Sequence, residues 1–374
     1  AMGWPKVSEL SDAVANRTTD KITKFKLSLE RVMSTQLLLH PHLKTATTCA
    51  VADATGGAGA PQGLWAMDAL MHAISVRFQY HFSGDRPTNR LDKPGWLFSF
   101  ALQRLEELTP FLLGFLQPLM QSHGLVLYDA KEDVLVRLVR MLMDKLDGDM
   151  PRLLLNSDYV RDTIHEALMF DKALREHHGL AGDSAELVHC VDAFARRPDA
   201  LARWLRLEQE DATRVLESLI DDPDKFVVKD EGEADSFKEL DAGLEEEADV
   251  DPVLVTESGE CLMALMQRIT EKYRGVPRVS VRRQFLHLQI DILQRYLVAL
   301  QTKAACSEDL ETFIAVADTA VYCQATLCAW GEDLFFLEMH VAPGSGLKTD
   351  SPMPDAEDLE LGSPLVNIGE EFGQ

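Results

Sequence analysis

The sequence predicts an all-α protein, and three observations carry that expectation. Apolar residues recur in steps of three and four through a series of long segments. No region sustains the period-two alternation of a half-buried strand, and no repeat of solenoid length is present. The expected architecture is an elongated rod of antiparallel helical hairpins and bundles, built from helices of roughly 15 to 25 residues.

The first segment, Val7 to Leu39, places Ile22, Phe25, Leu29, Val32 and Gln36 to Leu39 on one seam of a charged helix, which calls for another helix against it. That helix is either the chain's own next one or a helix of another subunit. Residues Pro41 to Pro61 turn to Thr, Ala and Gly. Gly56-Gly57-Ala58-Gly59 is followed by no Gly-Lys-Ser/Thr and preceded by no strand, so it reads as linker and not as a phosphate loop. Leu64 to Phe82 is a helix with Leu70, Ile74 and Phe78 on one face. It runs into an aromatic and turn-rich stretch, Phe78 to Trp96, in which Asp92 is expected to cap the next helix and Pro94 to start it. Trp96 opens the following apolar stripe through Phe98, Ala101, Leu102 and Leu105.

Pro110 and Pro118 bracket Phe111 to Met120, which is apolar enough to require burial. Leu135 to Leu146 is core helix stopped by Gly148 and Pro151. Asp158 is expected to cap a helix through Leu174 that ends at Gly179, and Leu201 to Leu219 forms another. Three more follow: Cys261 to Tyr273, Val281 to Thr302 and Leu310 to Leu337. The domain reading is an N-terminal helix plus linker (1–62), a helical bundle (63–228), an acidic loop (229–251), a second bundle (252–341), and a linker with an acidic tail (342–374).

Charge limits the partners. The net charge is −24 over 374 residues, with 46% hydrophobic and 26% charged residues. Lys229 to Asp251 and Gly344 to Gln374 concentrate the excess. Such a balance repels nucleic-acid backbones and anionic lipid surfaces, so neither nucleic-acid nor electrostatic membrane binding is expected, and direct membrane insertion is not expected because no stretch of about 20 uninterrupted apolar residues is present. The run Arg278, Arg282, Arg283 reads as a solvated helix start. The cysteines show no paired metal-ligand spacing and read as small hydrophobes of a reducing compartment. Ala1-Met2-Gly3 reads as a cloning remnant on a fragment.

No residue pattern points to catalysis. His81, Ser83 and Asp85 are sequence neighbours that a single turn does not converge, and neither a His-Glu-x-x-His motif nor a dinucleotide fingerprint is present. The expectation is no enzyme, no metal and no cofactor. The tail after Val341 is either a loose end or a partner peptide on a Gly-Ser tether, with Leu359, Leu361, Leu365, Val366, Ile368 and Phe372 as its apolar contacts.

The residues Arg77-Phe78, Tyr80-His81-Phe82, Arg86, Thr88-Asn89, Lys93-Pro94 and Trp96 resemble the RF-x-[FY]-H-F, R-x-T-N and K-P-E-W signature of the RINT/TIP family. Asp149 to Leu154, Ala167 to Asp171, Arg203-Trp204-Leu205, Gln284 to Gln289 and Trp330 to Leu337 resemble further family segments in the same order, and Gly95 departs from the family's usual Glu. The resemblance implies a middle fragment of a CATCHR-class subunit of an ER vesicle-tethering complex. Such a subunit acts in Golgi-to-ER retrograde transport and sits in the cytoplasm, peripheral on the ER membrane. The implied partners are ZW-ten-type and NAG-type subunits and ER Q-SNAREs, and family members are also implicated in a cell-cycle checkpoint. The implied role of Phe78, Tyr80, Phe82, Arg86, Thr88, Asn89, Lys93, Pro94 and Trp96 is structural. In that reading the aromatics lock a hinge, while Arg86, Asn89 and Lys93 satisfy backbone carbonyls and carboxylates. An adaptor that binds a short acidic peptide (residues 347–374) is the alternative.

Overall fold

The computed structural model describes residues 20–45, 63–178, 189–226, 255–307, 309–339 and 364–373. Among these residues the regular structure is helical, as the periodicity predicts. The linker at 46–62, the acidic loop at 229–251, Gly179, and Leu359 and Leu361 of the tail lie outside them. Packing divides the chain into two compact units, one ending at Leu201 and the other beginning at Ala202.

In the first unit, α1 (Asp20–Leu39) packs on α2 (Trp65–Phe82), with Phe25, Leu29, Met33 and Leu37 buried and the Phe25 ring 6.1 Å from that of Phe111. The predicted seam is covered within the chain at Phe25, Leu29, Gln36 and Leu37, whereas Leu38 and Leu39 stay exposed. Its fully buried Gln36 is the fastening. Trp65 N donates to Gln36 Oε1 at 2.8 Å and Gln36 Nε2 donates to Gly63 O at 2.8 Å, so one amide satisfies backbone at the start of α2.

Helix α3 (Gly95–Phe111) does not stop at Pro110. It continues through a π-helical turn, Leu112–Leu116, into α4 (Gln117–Ser122). The wider turn buries Phe111, Leu112, Leu116 and Met120 while leaving Leu113 exposed, so the burial demanded of this segment is met on one side only.

Helix α5 (Ala130–Leu153), capped by Asp129, likewise passes through Gly148 and Pro151, which were expected to end it. Tertiary burial of Met150 and Leu153 outweighs the local cost of a glycine and a proline in the last turns.

Helix α6 (Ser157–His178) is capped by Asn156, not Asp158: Asp158 N donates to Asn156 Oδ1 at 2.8 Å. Its fully buried Asp171 accepts from Cys190 N at 2.9 Å and Val191 N at 3.0 Å, tying the segment before the short helix α7 (Asp192–Ala195) to α6.

In the second unit, α8 (Pro198–Ile220), α9 (Glu257–Arg274), α10 (Val279–Cys306) and α11 (Leu310–Gly331) carry the packing. Trp204 meets the Phe285 ring edge-on at 4.8 Å, and Tyr273 stacks on the same ring at 5.5 Å. Buried polar groups are paired within this core. Tyr273 Oη donates to Gln289 Oε1 at 2.6 Å, and Gln289 Nε2 donates to Met266 O at 2.8 Å and Thr270 Oγ1 at 2.9 Å.

The segment expected to run from Leu310 to Leu337 as one helix breaks after Gly331, because Asp333 caps a separate turn, α12 (Leu334–Leu337), by accepting from Phe335 N at 3.0 Å. Arg282 and Arg283 are not solvated. Arg282 lies over the Phe335 ring at 5.1 Å and pairs with Glu338 at 3.2 Å, and Arg283 Nε donates to Met339 O at 2.6 Å.

Burial pushes the Asp171 carboxyl up to about 7, against the lowering effect of its two N–H partners. An acid with a folded-state pKa above its unfolded value binds more protons when folded, so its contribution is lost as pH rises between the two values. Relative to Asp171→Asn, the wild-type chain is expected to lose stability from about pH 4 to about pH 7 and then hold a constant difference. Urea unfolding of both chains across that range is the check.

Candidate functional site

The signature stretch joins α2 to α3, and its turn is built from side chains that bond backbone. Ser83 ends α2 in extended conformation and Gly84 follows at φ +59°, a left-handed conformation that glycine adopts without a Cβ penalty. Thr88 Oγ1 donates to His81 O at 2.5 Å and Asn89 Nδ2 donates to Gly84 O at 2.7 Å, closing the chain back on the end of α2. The other side of Asn89 faces α5. Lys145 Nζ donates to Asn89 Oδ1 at 2.8 Å and pairs with Asp149 at 2.8 Å. Asp149 belongs to a second segment of the family pattern, so two distant motifs meet through one lysine.

The aromatic residues split between inside and outside. Phe78 and Phe82 are buried, 5.0 Å apart between ring centroids, and both contact Phe100 at 5.7 Å. Phe98 of α3 meets Phe170 of α6 at 5.4 Å, which brings a third family segment to the same core. Tyr80 is 59% exposed and Trp96 47% exposed, so the apolar stripe of α3 opens at Leu97 and not at Trp96. The Arg86 guanidinium lies 4.5 Å over the Tyr80 ring. Lys93 is exposed; its backbone N donates to Arg90 O at 3.3 Å, and its carbonyl accepts from Trp96 N at 3.2 Å. Of the three polar residues expected to satisfy backbone, Asn89 does so through its side chain, whereas Arg86 stacks on an aromatic ring.

Asp92 does not cap α3. It accepts two bonds from Arg90 at 2.9 and 2.5 Å, and the residue before the helix is Pro94, with no side-chain cap. At Gly95 a Cβ would stand 3.0 Å from Oε1 of Glu166, the end of a side chain that can shift, so packing does not demand glycine there. Phe82, Thr88, Pro94, Leu97, Leu146 and Thr163 line a small, partly open cleft.

Sequence reasoning missed a partly buried ion cluster at the other end of α2. Arg137 reaches Asp133 at 2.9 Å and Asp68 at 2.6 Å, linking α5 to the first turn of α2. Burial pushes the carboxyl of fully buried Asp133 up, while Arg137 beside it pulls it down. The available signal was an Asp and Arg four residues apart inside a strongly apolar stripe.

At the other end of the chain, α13 (Pro364–Phe372) packs on α11 and α10 with Leu365, Ile368 and Phe372 buried and Val366 half-buried. Gly369 lies against α11, where an added Cβ would meet Cys328 Sγ and Leu327 Cβ at 3.4 Å, an ordinary contact distance. No group of three or more metal-capable side chains occurs among the described residues.

These residues hold helices together, and the class they define is an all-helical scaffold. A sequence model of the RINT-1/TIP-1 family matches residues 65–352, and the chain belongs to that family. It is 25% identical over 276 residues to the RINT1-like protein of Drosophila melanogaster, covering 73% of this chain and 35% of the relative. It is 22% identical over 342 residues to the RINT1-like protein MAG2 of Arabidopsis thaliana, covering 83% of this chain and 40% of the relative. The chain thus spans about two-fifths or less of the curated relatives it matches. Among solved structures, it is similar to the crystal structure of the SNARE Sec20 bound to the Dsl1 complex subunit Tip20, with 14% identity and a TM-score of 0.49 over 98% of this chain and 58% of that one.

Asn89→Ala removes the bonds to both Gly84 and Lys145 and is expected to cost about 1–2 kcal/mol, whereas Arg86→Ala, which removes an exposed ring contact, is expected to cost about 0.5–1 kcal/mol. Chemical denaturation of the two variants beside the wild type measures the difference.

Proposed function

We propose that this chain is a non-enzymatic part of a subunit of an ER-associated vesicle-tethering complex in Golgi-to-ER retrograde transport. It acts in the cytoplasm, peripheral on the ER membrane, by binding SNAREs and other subunits. The observation that carries the reading is the family match across residues 65–352. The site geometry is consistent with it. Thr88 and Asn89 of the signature spend their polar groups on backbone and on Lys145. What such a surface offers is helical faces, and binding through helical faces is a common mode of recognition.

A second reading, an adaptor that receives a short peptide, is favoured by one observation: Leu365, Ile368 and Phe372 of the acidic tail are buried against the second unit. In that reading residues 347–374 occupy a receptor surface in cis, held by high effective concentration.

Size-exclusion chromatography with recombinant N-terminal domains of ER Q-SNAREs is expected to show a complex at micromolar concentration. Failure to co-elute would remove direct SNARE recognition from this chain. For the second reading, cleavage at a protease site inserted near residue 350 is expected to release the 364–373 helix on dilution, and excess free peptide to rebind; failure of the separate peptide to bind the cleaved chain would remove this reading.

A further inference from the structure

Helix α11 carries one apolar ridge along its length. Leu310, Phe313, Ala317, Val321, Gln324 and Cys328 follow one another in steps of three and four, which keeps them on a single helical face. The C-terminal part of this ridge is covered by α13. Gly369 sits over Leu327 and Cys328, and one turn later Gly373 sits over Gln324, so α13 runs antiparallel to α11 and heads toward its N-terminus. The N-terminal part is open to solvent: Leu310 is 72%, Phe313 47% and Val321 52% exposed, with Ile314 at 41% beside them. Covering and exposure thus meet on one continuous face.

The opposite side of α11 is already occupied. Ala315, Val316, Thr319 and Cys323 are buried in the second unit. The exposed side is therefore a surplus of apolar area beyond what the unit's own core uses. From Leu310 to Val321 it extends about 18 Å, room for a helix of three to four turns. Its borders are acidic. Glu311 and Asp318 lie on α11, which carries neither Lys nor Arg between Leu310 and Gly331, and Asp309 caps it. A second copy of the same surface would bring like charges together, and an anionic membrane would be repelled.

We propose that the N-terminal half of α11 is a docking groove for an amphipathic helix of a partner protein. That helix lies antiparallel to α11, end to end with α13, with apolar residues at i, i+3, i+4 and i+7 and Lys or Arg along its edges. The α13 contact supplies the template for the geometry, and the carboxylates select the sign of the rim. The inference rests on this exposed ridge alone and stands apart from the SNARE reading.

The probe is a fluorescent leucine–lysine helix of about 14 residues, titrated against the full chain by anisotropy. Two controls accompany it: a glutamate-rimmed version, and a lysine version with the leucines redistributed around the helix. The striped lysine peptide is expected to bind at micromolar concentration, and each control about tenfold or more weaker. Phe313→Glu and Val321→Glu, both at exposed positions that leave the core intact, are expected to weaken binding by about tenfold or more, and Asp318→Lys to shift preference toward the glutamate rim. Circular dichroism confirms that each variant is folded. Equal binding of the redistributed peptide, or binding unaffected by Phe313→Glu, overturns the proposal. A concentration-dependent doubling of mass that Phe313→Glu abolishes would assign the face to a second copy. Flotation with phosphatidylcholine/phosphatidylserine vesicles, lost in the same variant while peptide binding is absent, would assign it to a membrane; either result overturns the helix-groove proposal.

Discussion

A helix with an apolar face persists in water only while that face is covered, and each unit of this chain is arranged around that requirement. Single-helix propensity is not what holds it. Helix α5 runs through Gly148 and Pro151 because Met150 and Leu153 are buried beyond them, and α3 passes Pro110 into a π turn because Phe111, Leu112 and Leu116 need one buried side. Burial of side chains of that size contributes roughly 1.5–3 kcal/mol each, enough to override the local cost of a glycine or of a proline near a helix end.

Buried polar side chains then decide which apolar faces meet. Gln36 fastens α1 to the start of α2, Lys145 joins the signature turn to α5 through Asn89 and Asp149, and Arg137 ties Asp133 to Asp68. In the second unit Gln289 performs the same service for Tyr273 and Thr270. Each of these groups would be costly to leave unpaired, so each penalises alternative helix pairings. This gives the family motifs a physical account. Asn89, Asp149, Phe170, Trp204 and Phe285 are distant in sequence and lie at the contacts within their own unit.

Seen this way, the signature stretch is a joint with two surfaces. Its inner surface is spent on Phe78, Phe82, Thr88 and Asn89, while Tyr80, Arg86 and Trp96 remain outside. Helix α11 has a comparable division along its length, with one part covered by α13 and another part open. Surfaces of that second kind are what a binding protein has to offer.

The sequence by itself determined the helical class, the faces that would be buried on most helices, and the family, because periodicity and motif spacing are local properties of the chain. It also marked the turn at Gly84 and the N-caps only in part: Asp158 and Asp92 looked like caps, yet Asn156 caps α6 and Asp92 pairs with Arg90. The end of α5, the π turn and the stapling of Arg282 and Arg283 were decided by tertiary structure, where burial or a contact with another element outweighed a local preference worth about 1 kcal/mol, whereas Asp333 sets the break before α12 by a local cap. The open half of the α11 ridge was settled in the same way. Its apolar residues are legible in the sequence, but which of them face solvent depends on how α10 and α13 pack against α11.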